Sequence, residues 1–128
     1  MLFVMLSLNY QSGVPIYQQV YNEVVKEISL EILVPDERLP TVRELATKLG
    51  INPNTVAKSY QLLEQNGYIY SIVGKGSFVA DSSGKLAGLK EGTMNNIKKE
   101  IKEAYNLGIK YDDLLKLIND IYNGGDKK

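Results

Sequence analysis

The chain has 128 residues, with 15 basic and 15 acidic side chains, so it holds one domain, or one small domain plus an appendage, and its balanced charge separates it from disordered and polybasic tails. It has no cysteine, which excludes disulfides, Cys-zinc sites and thiol catalysis, and no histidine, which removes the commonest general base and metal ligand. The remaining acids form no spaced ligand set such as a calcium loop, so no enzyme, metal site or cofactor is expected.

The opening MLFVMLSLNY is apolar but too short to span a bilayer, and it lacks the basic start and cleavage site of a signal peptide. A core-packed strand is expected there, with Met5 as an alternative translation start to Met1, in a cytoplasmic chain without membrane contact. Pro15 suits the first position of a helix whose residues Ile16, Val20, Val24 and Ile28 recur every four residues, with Tyr17, Tyr21 and Val25 widening the stripe. That helix should end near Leu33, because Pro35 disfavours a helical conformation before it.

Thr41-Val42-Arg43-Glu44 fits a capping box, with Val42, Leu45, Ala46 and Leu49 as the apolar stripe of a second helix and Gly50 as its turn. Asn52 can cap a third helix with Pro53 in its first turn, Val56, Tyr60 and Leu63 facing inward, and Gly67 as the stop. Tyr68 to Val73 favours a strand, Gly74-Lys75-Gly76 a turn, and Ser77 to Ala80 the returning strand. Two short helices across a tight turn, followed by a ribbon, fit a helix-turn-helix with a wing.

Asp81-Ser82-Ser83-Gly84 reads as a linker. Beyond it, Ile97, Ile101, Ala104 and Tyr105 form one helical stripe ending at Gly108, and Leu114, Leu115, Ile118, Ile121 and Tyr122 form a second. Together they predict a helical hairpin, with Gly124 to Lys128 fraying. The expected fold is mainly α with a small β-wing: a winged helix-turn-helix domain over residues 1–80, then a linker and two-helix dimerisation tail over 81–128.

The central block resembles the GntR family of bacterial transcription regulators. The resemblance is carried by Leu39-Pro40-Thr41-Val42-Arg43-Glu44-Leu45-Ala46, Asn54-Thr55-Val56, Leu63-Glu64, Gly67 and Gly74-Lys75-Gly76-Ser77-Phe78-Val79. Pro15-Ile16-Tyr17-Gln18-Gln19-Val20 and the short helical tail are similar to the YtrA subfamily. Two positions depart from the family pattern: Pro35-Asp36 stands where Pro-Gly is usual, and Ala57 where a basic residue is common. The resemblance implies a homodimeric repressor binding a double-stranded DNA operator with inverted-repeat half-sites, and control of a transporter operon.

With Val56 inward, a 3.6-residue period sends Asn54, Lys58 and Gln61 outward, with Thr55 beside them, toward a major groove. The positive helix start at Asn52 and Pro53 suits a phosphate. By resemblance Arg43 contacts a base or phosphate beside this helix, and Arg is well suited to a bidentate contact with guanine. Arg43, Asn54 and Lys58 are the expected base readers. Thr41, Thr55 and Lys75 are the expected backbone contacts, with Gly74 and Gly76 letting the wing approach closely. Between Pro35 and Ala80, five basic residues face four acidic ones, a small excess for a DNA-binding head, so affinity is expected to depend on pairing two heads.

The tail is too small for a ligand-binding core of its own. Its stripes, Ile97, Ile101, Tyr105, Leu114, Leu115, Ile118, Ile121 and Tyr122, are expected to meet the same surface of a second copy, at roughly 1.5–3 kcal/mol per buried side chain before ordering costs. Folding back on the first helix is the alternative. A small-molecule effector, unknown in identity, would have to act through that interface or the joint near Asp81 to Leu89. The competing functional reading is a winged-helix module for protein–protein contact without DNA.

Overall fold

The computed structural model describes residues 7–124, which divide into two compact units between Ser83 and Gly84. Residues 1–6 and 125–128, and with them the choice between Met1 and Met5 and most of the expected fraying, lie outside the described residues. The part of the expected N-terminal strand that is described, residues 7–10, is not a strand. It leads into a turn in which Gln19 Nε2 donates to the Asn9 carbonyl at 2.7 Å and Gln11 N to Asn9 Oδ1 at 3.0 Å.

Helix α1 (Ile16–Ser29) begins one residue later than expected, with Pro15 in the capping position and its carbonyl accepting from Gln18 N and Gln19 N. It also ends four residues early. Glu31 adopts a left-handed φ of 60°, and the N–H groups of Ile32 and Leu33 both donate to the Glu27 carbonyl. A continued helix would have pointed Leu33 about 140° away from Ile28; the reversal instead buries Leu33 to 1% exposure.

Helix α2 (Val42–Leu49) starts with the capping box in full: Glu44 N donates to Thr41 Oγ1 at 3.0 Å, and Thr41 N to Glu44 Oε1 at 2.8 Å. Gly50, at φ 69°, supplies the left-handed stop that separates it from α3 (Pro53–Gln65). There Asn52 Oδ1 accepts from Asn54 N at 2.8 Å. α3 packs on both earlier helices, burying Val56, Tyr60 and Leu63 against Val20, Val24, Leu45 and Ala46. Buried Ser59 lies on the same stripe; its hydroxyl donates to the Tyr17 carbonyl at 2.7 Å, which satisfies it and ties α3 to α1.

Strands β1 (Ile69–Ile72) and β2 (Gly76–Val79) are antiparallel, pairing Ile69 with Val79 and Tyr70 with Phe78; β1 is shorter than expected, and β2 has the expected length but begins and ends one residue earlier. Residues 36–39 run beside β2. Asp36 N donates to Val79 O, Val79 N to Glu37 O and Leu39 N to Ser77 O, and Arg38 bridges to Phe78. The chain entering α2 is thus part of the wing. Asp36, at the family's usual glycine position, takes a glycine-like φ of 70°; its carboxylate accepts from the Tyr70 hydroxyl at 2.7 Å, a contact glycine lacks.

Residues 81–84 are not a free linker. Asp81 Oδ1 accepts from Ser83 N and Ser83 Oγ, and α4 (Ser83–Asn106) begins at once, so the expected joint at 81–89 is mostly helix. Gly108, at φ 81°, turns the chain, with Ile109 N donating to Ala104 O, into α5 (Tyr111–Tyr122). Asp112 and Asp113 favour the α5 N-terminus. The α4 and α5 arms flank an apolar groove of 430 Å³.

Candidate nucleic-acid interface

Three pieces of the first unit carry the expected DNA-contact residues. At the start of α2, Thr41 and Arg43 are exposed. Glu44, exposed, is held below the usual carboxylate range, chiefly by its bond from the Thr41 backbone and then by the Thr41 hydroxyl. That bond occupies the Thr41 N–H. Arg43 and Thr41 line one shallow depression together with Thr47 and Lys48.

At the start of α3, Asn52, Pro53 and Asn54 are exposed and Thr55 half-buried, while Lys58 and Gln61 project from the outer face as the 3.6-residue period requires. Lys58 is not an unengaged cation: its ammonium sits 4.0 Å from the centre of the Tyr17 ring on α1, a cation–π contact that DNA would have to compete with. At the wing tip, Lys75 N donates to Ile72 O at 2.9 Å, between Gly74 at φ 80° and Gly76 at φ 120°. Such angles are cheap only for glycine.

A second depression, of 400 Å³, brings Thr41 together with Gly74, Lys75 and Gly76, the hydroxyl-bearing Ser71 and Ser77, and Arg38. The α3 residues line neither depression. Arg38 is absent from the expected contacts because its place depends on pairing with Phe78, forty positions away. The acids of the head are held by its own neutral donors rather than by its cations. Each acid between Pro35 and Ala80 accepts an intramolecular hydrogen bond: Asp36 from Tyr70, Glu37 from Val34 N, Glu44 from Thr41 N and Glu64 from Ser71. Arg38, Arg43, Lys48 and Lys75 make no ion pair among the described residues. Among these residues, too, no group of three metal-binding side chains occurs, and no helix is long and apolar enough to cross a membrane.

Residues 16–79, from the start of α1 to the end of β2, match the family described as bacterial regulatory proteins, gntR family. The chain belongs to the GntR family. Within that family it is 36% identical over 122 residues to the HTH-type transcriptional repressor YtrA of Bacillus subtilis (strain 168), covering 91% of this chain and 92% of that protein. The fold is shared with a transcriptional regulator from Oenococcus oeni, with a TM-score of 0.69 and 31% identity over 91% of this chain and 98% of the other. The AraR DNA-binding domain, solved with operator ORE1, gives a TM-score of 0.52 and 34% identity, covering 58% of this chain and 90% of that one. These GntR relatives are transcription regulators, and none points to an enzyme.

The tail residues have a different setting. Ile97, Ile101, Leu114, Ile118, Ile121 and Tyr122 line the groove between α4 and α5, together with Leu117, which the expected stripe omitted. Tyr105 and Leu115 do not line it. No residue of α5 is buried, and Ile118 and Ile121 are 46% and 51% exposed.

Proposed function

We propose that this GntR protein is a homodimeric transcription repressor that reads an inverted-repeat operator, with one head on each half-site. The head is residues 1–80 and the pairing tail 81–128. The observation that carries the reading is the set of exposed cations at the start of α2 and the wing tip, Arg38, Arg43, Lys48 and Lys75, which make no ion pair among the described residues. The operator complex of the related AraR domain supports it. In this reading Arg43 and Asn54 contact bases, joined by Lys58 once it leaves Tyr17. Thr41, Asn52, Thr55 and Lys75 hold phosphates, while Pro53, Gly74 and Gly76 set the backbone that approaches them.

The tail supplies the second head. A monomer rarely leaves so continuous an apolar surface in water, and the open groove of α4 and α5 suits the same elements of another copy. The two heads then share one duplex, offsetting the few cations each brings. Kinship with the YtrA repressor supports repression and, with the subfamily, control of a transporter operon from the cytoplasm. For any small molecule the chain responds to, the tail contact is the point at which head spacing would change.

The test is selection of bound duplexes from a random pool with the full chain. A recovered palindrome is expected, and Arg43→Ala should abolish its retention while the thermal unfolding midpoint stays unchanged. Recovery of no preferred duplex, or full retention by Arg43→Ala, would favour the protein–protein reading instead.

A further inference from the structure

Arg38 stands outside every motif that carries the family resemblance, yet the fold gives it a defined seat. Its backbone bridges to Phe78, and the next residue, Leu39, donates from its N–H to Ser77 O at 2.9 Å, so Arg38 is held along the wing rather than on a loose loop. Its guanidinium lies against the bare backbone of Gly76: a Cβ there would fall 3.1 Å from Nε and 3.6 Å from Nη2. Glu44, close enough to feel its charge, is already bound to Thr41 N, and Arg38 makes no ion pair among the described residues. Around it, Thr41, Ser71, Ser77 and Lys75 complete a shallow concave surface.

We propose that this concavity between the start of α2 and the wing seats one backbone phosphate of the duplex, with Arg38 as its principal ligand. A phosphodiester presents two non-bridging oxygens that match the planar fork of a guanidinium, and the Lys75 ammonium adds a second cationic donor beside it. Gly76 has a second duty here, since any side chain would push the fork from its seat. The contact fixes the head's position on DNA without reading sequence. This assignment rests on the DNA-binding reading above.

The test uses the full chain and its selected duplex, measuring affinity against salt for wild type, Arg38→Gln, Arg38→Lys and Arg43→Ala. Arg38→Gln should weaken the selected and a scrambled duplex by the same factor, about tenfold, and lower the salt slope by about one per head, while Arg38→Lys keeps the slope. Single methylphosphonate replacements along the duplex should reveal one position per half-site whose neutralisation weakens wild type but not Arg38→Gln. If Arg43→Ala loses binding while Arg38→Gln keeps affinity and slope, or if no methylphosphonate loses its effect in Arg38→Gln, the phosphate seat is overturned and the DNA-binding reading stands. If wild type binds no duplex even at low salt, both fall.

Discussion

The phenolic hydroxyl of Tyr60 donates a 2.7 Å hydrogen bond to the carbonyl of Pro40, across the interface between α3 and the residue before the α2 cap. Burial, with Glu44 nearby, raises the phenol well above its ordinary range, so it remains a donor at any working pH. One bond therefore fixes α3 against the start of the helix that carries Arg43. Tyr60→Phe should cost about 1 kcal/mol in urea unfolding, because it leaves a partly buried carbonyl without its donor. Unchanged stability would mean that water replaces the hydroxyl without cost.

Glu23 titrates in the folded head. Burial first, then hydrogen bonding and repulsion from Glu27, raise its carboxyl from 4.5 to about 7, against a smaller opposing effect of Lys26. The folded state therefore holds a proton that the unfolded chain releases. Stability from this group is complete below pH 4.5, declines as pH rises toward 7, and is then flat. Glu23→Gln should flatten that decline in urea unfolding followed from pH 4.5 to 7. A variant with the same slope as wild type would place the proton elsewhere.

On the proposed dimer, Ile118→Asp sets a charge in the α4–α5 groove. Sedimentation should show monomers, and operator affinity should fall by more than tenfold through loss of the second head. A dimeric Ile118→Asp protein would move the interface away from this groove.

Gly84, Gly88 and Gly92 recur every four residues within α4, and an added Cβ at each would meet open space. Gly88→Ala should raise the thermal unfolding midpoint of the full chain, by the equivalent of roughly 0.5–1 kcal/mol, through restriction of the unfolded backbone. A lower midpoint would mean that another chain presses on that face.

The elements legible in the sequence were those encoded locally. The Thr41–Glu44 capping box, the Asn52-Pro53 start, Gly50 and Gly67 each act within a few residues, and all appear where the pattern puts them. The inward stripe Val56, Tyr60 and Leu63 follows from helical period alone. What escaped depends on distant partners. Arg38 gains its place by pairing with Phe78, Lys58 is held by Tyr17, and the early end of α1 serves the burial of Leu33. The first turns of α4 escaped for a different reason: glycine-rich and mostly exposed, they carry no apolar period to betray a helix.

The alternation along the segment beside β2, with Arg38 outward and Leu39 2% exposed, limits how this head can change length. One residue added between Glu37 and Leu39 would make the ladder slip by a single step, exchanging inner for outer side chains: a guanidinium would be driven inward and a leucine expelled into water. Extra residues at Val73 to Lys75 would meet no such obstacle, since the hairpin end can grow outward. Grafts meant to extend the wing's reach therefore belong at its tip, and the threshold before α2 must keep its present spacing.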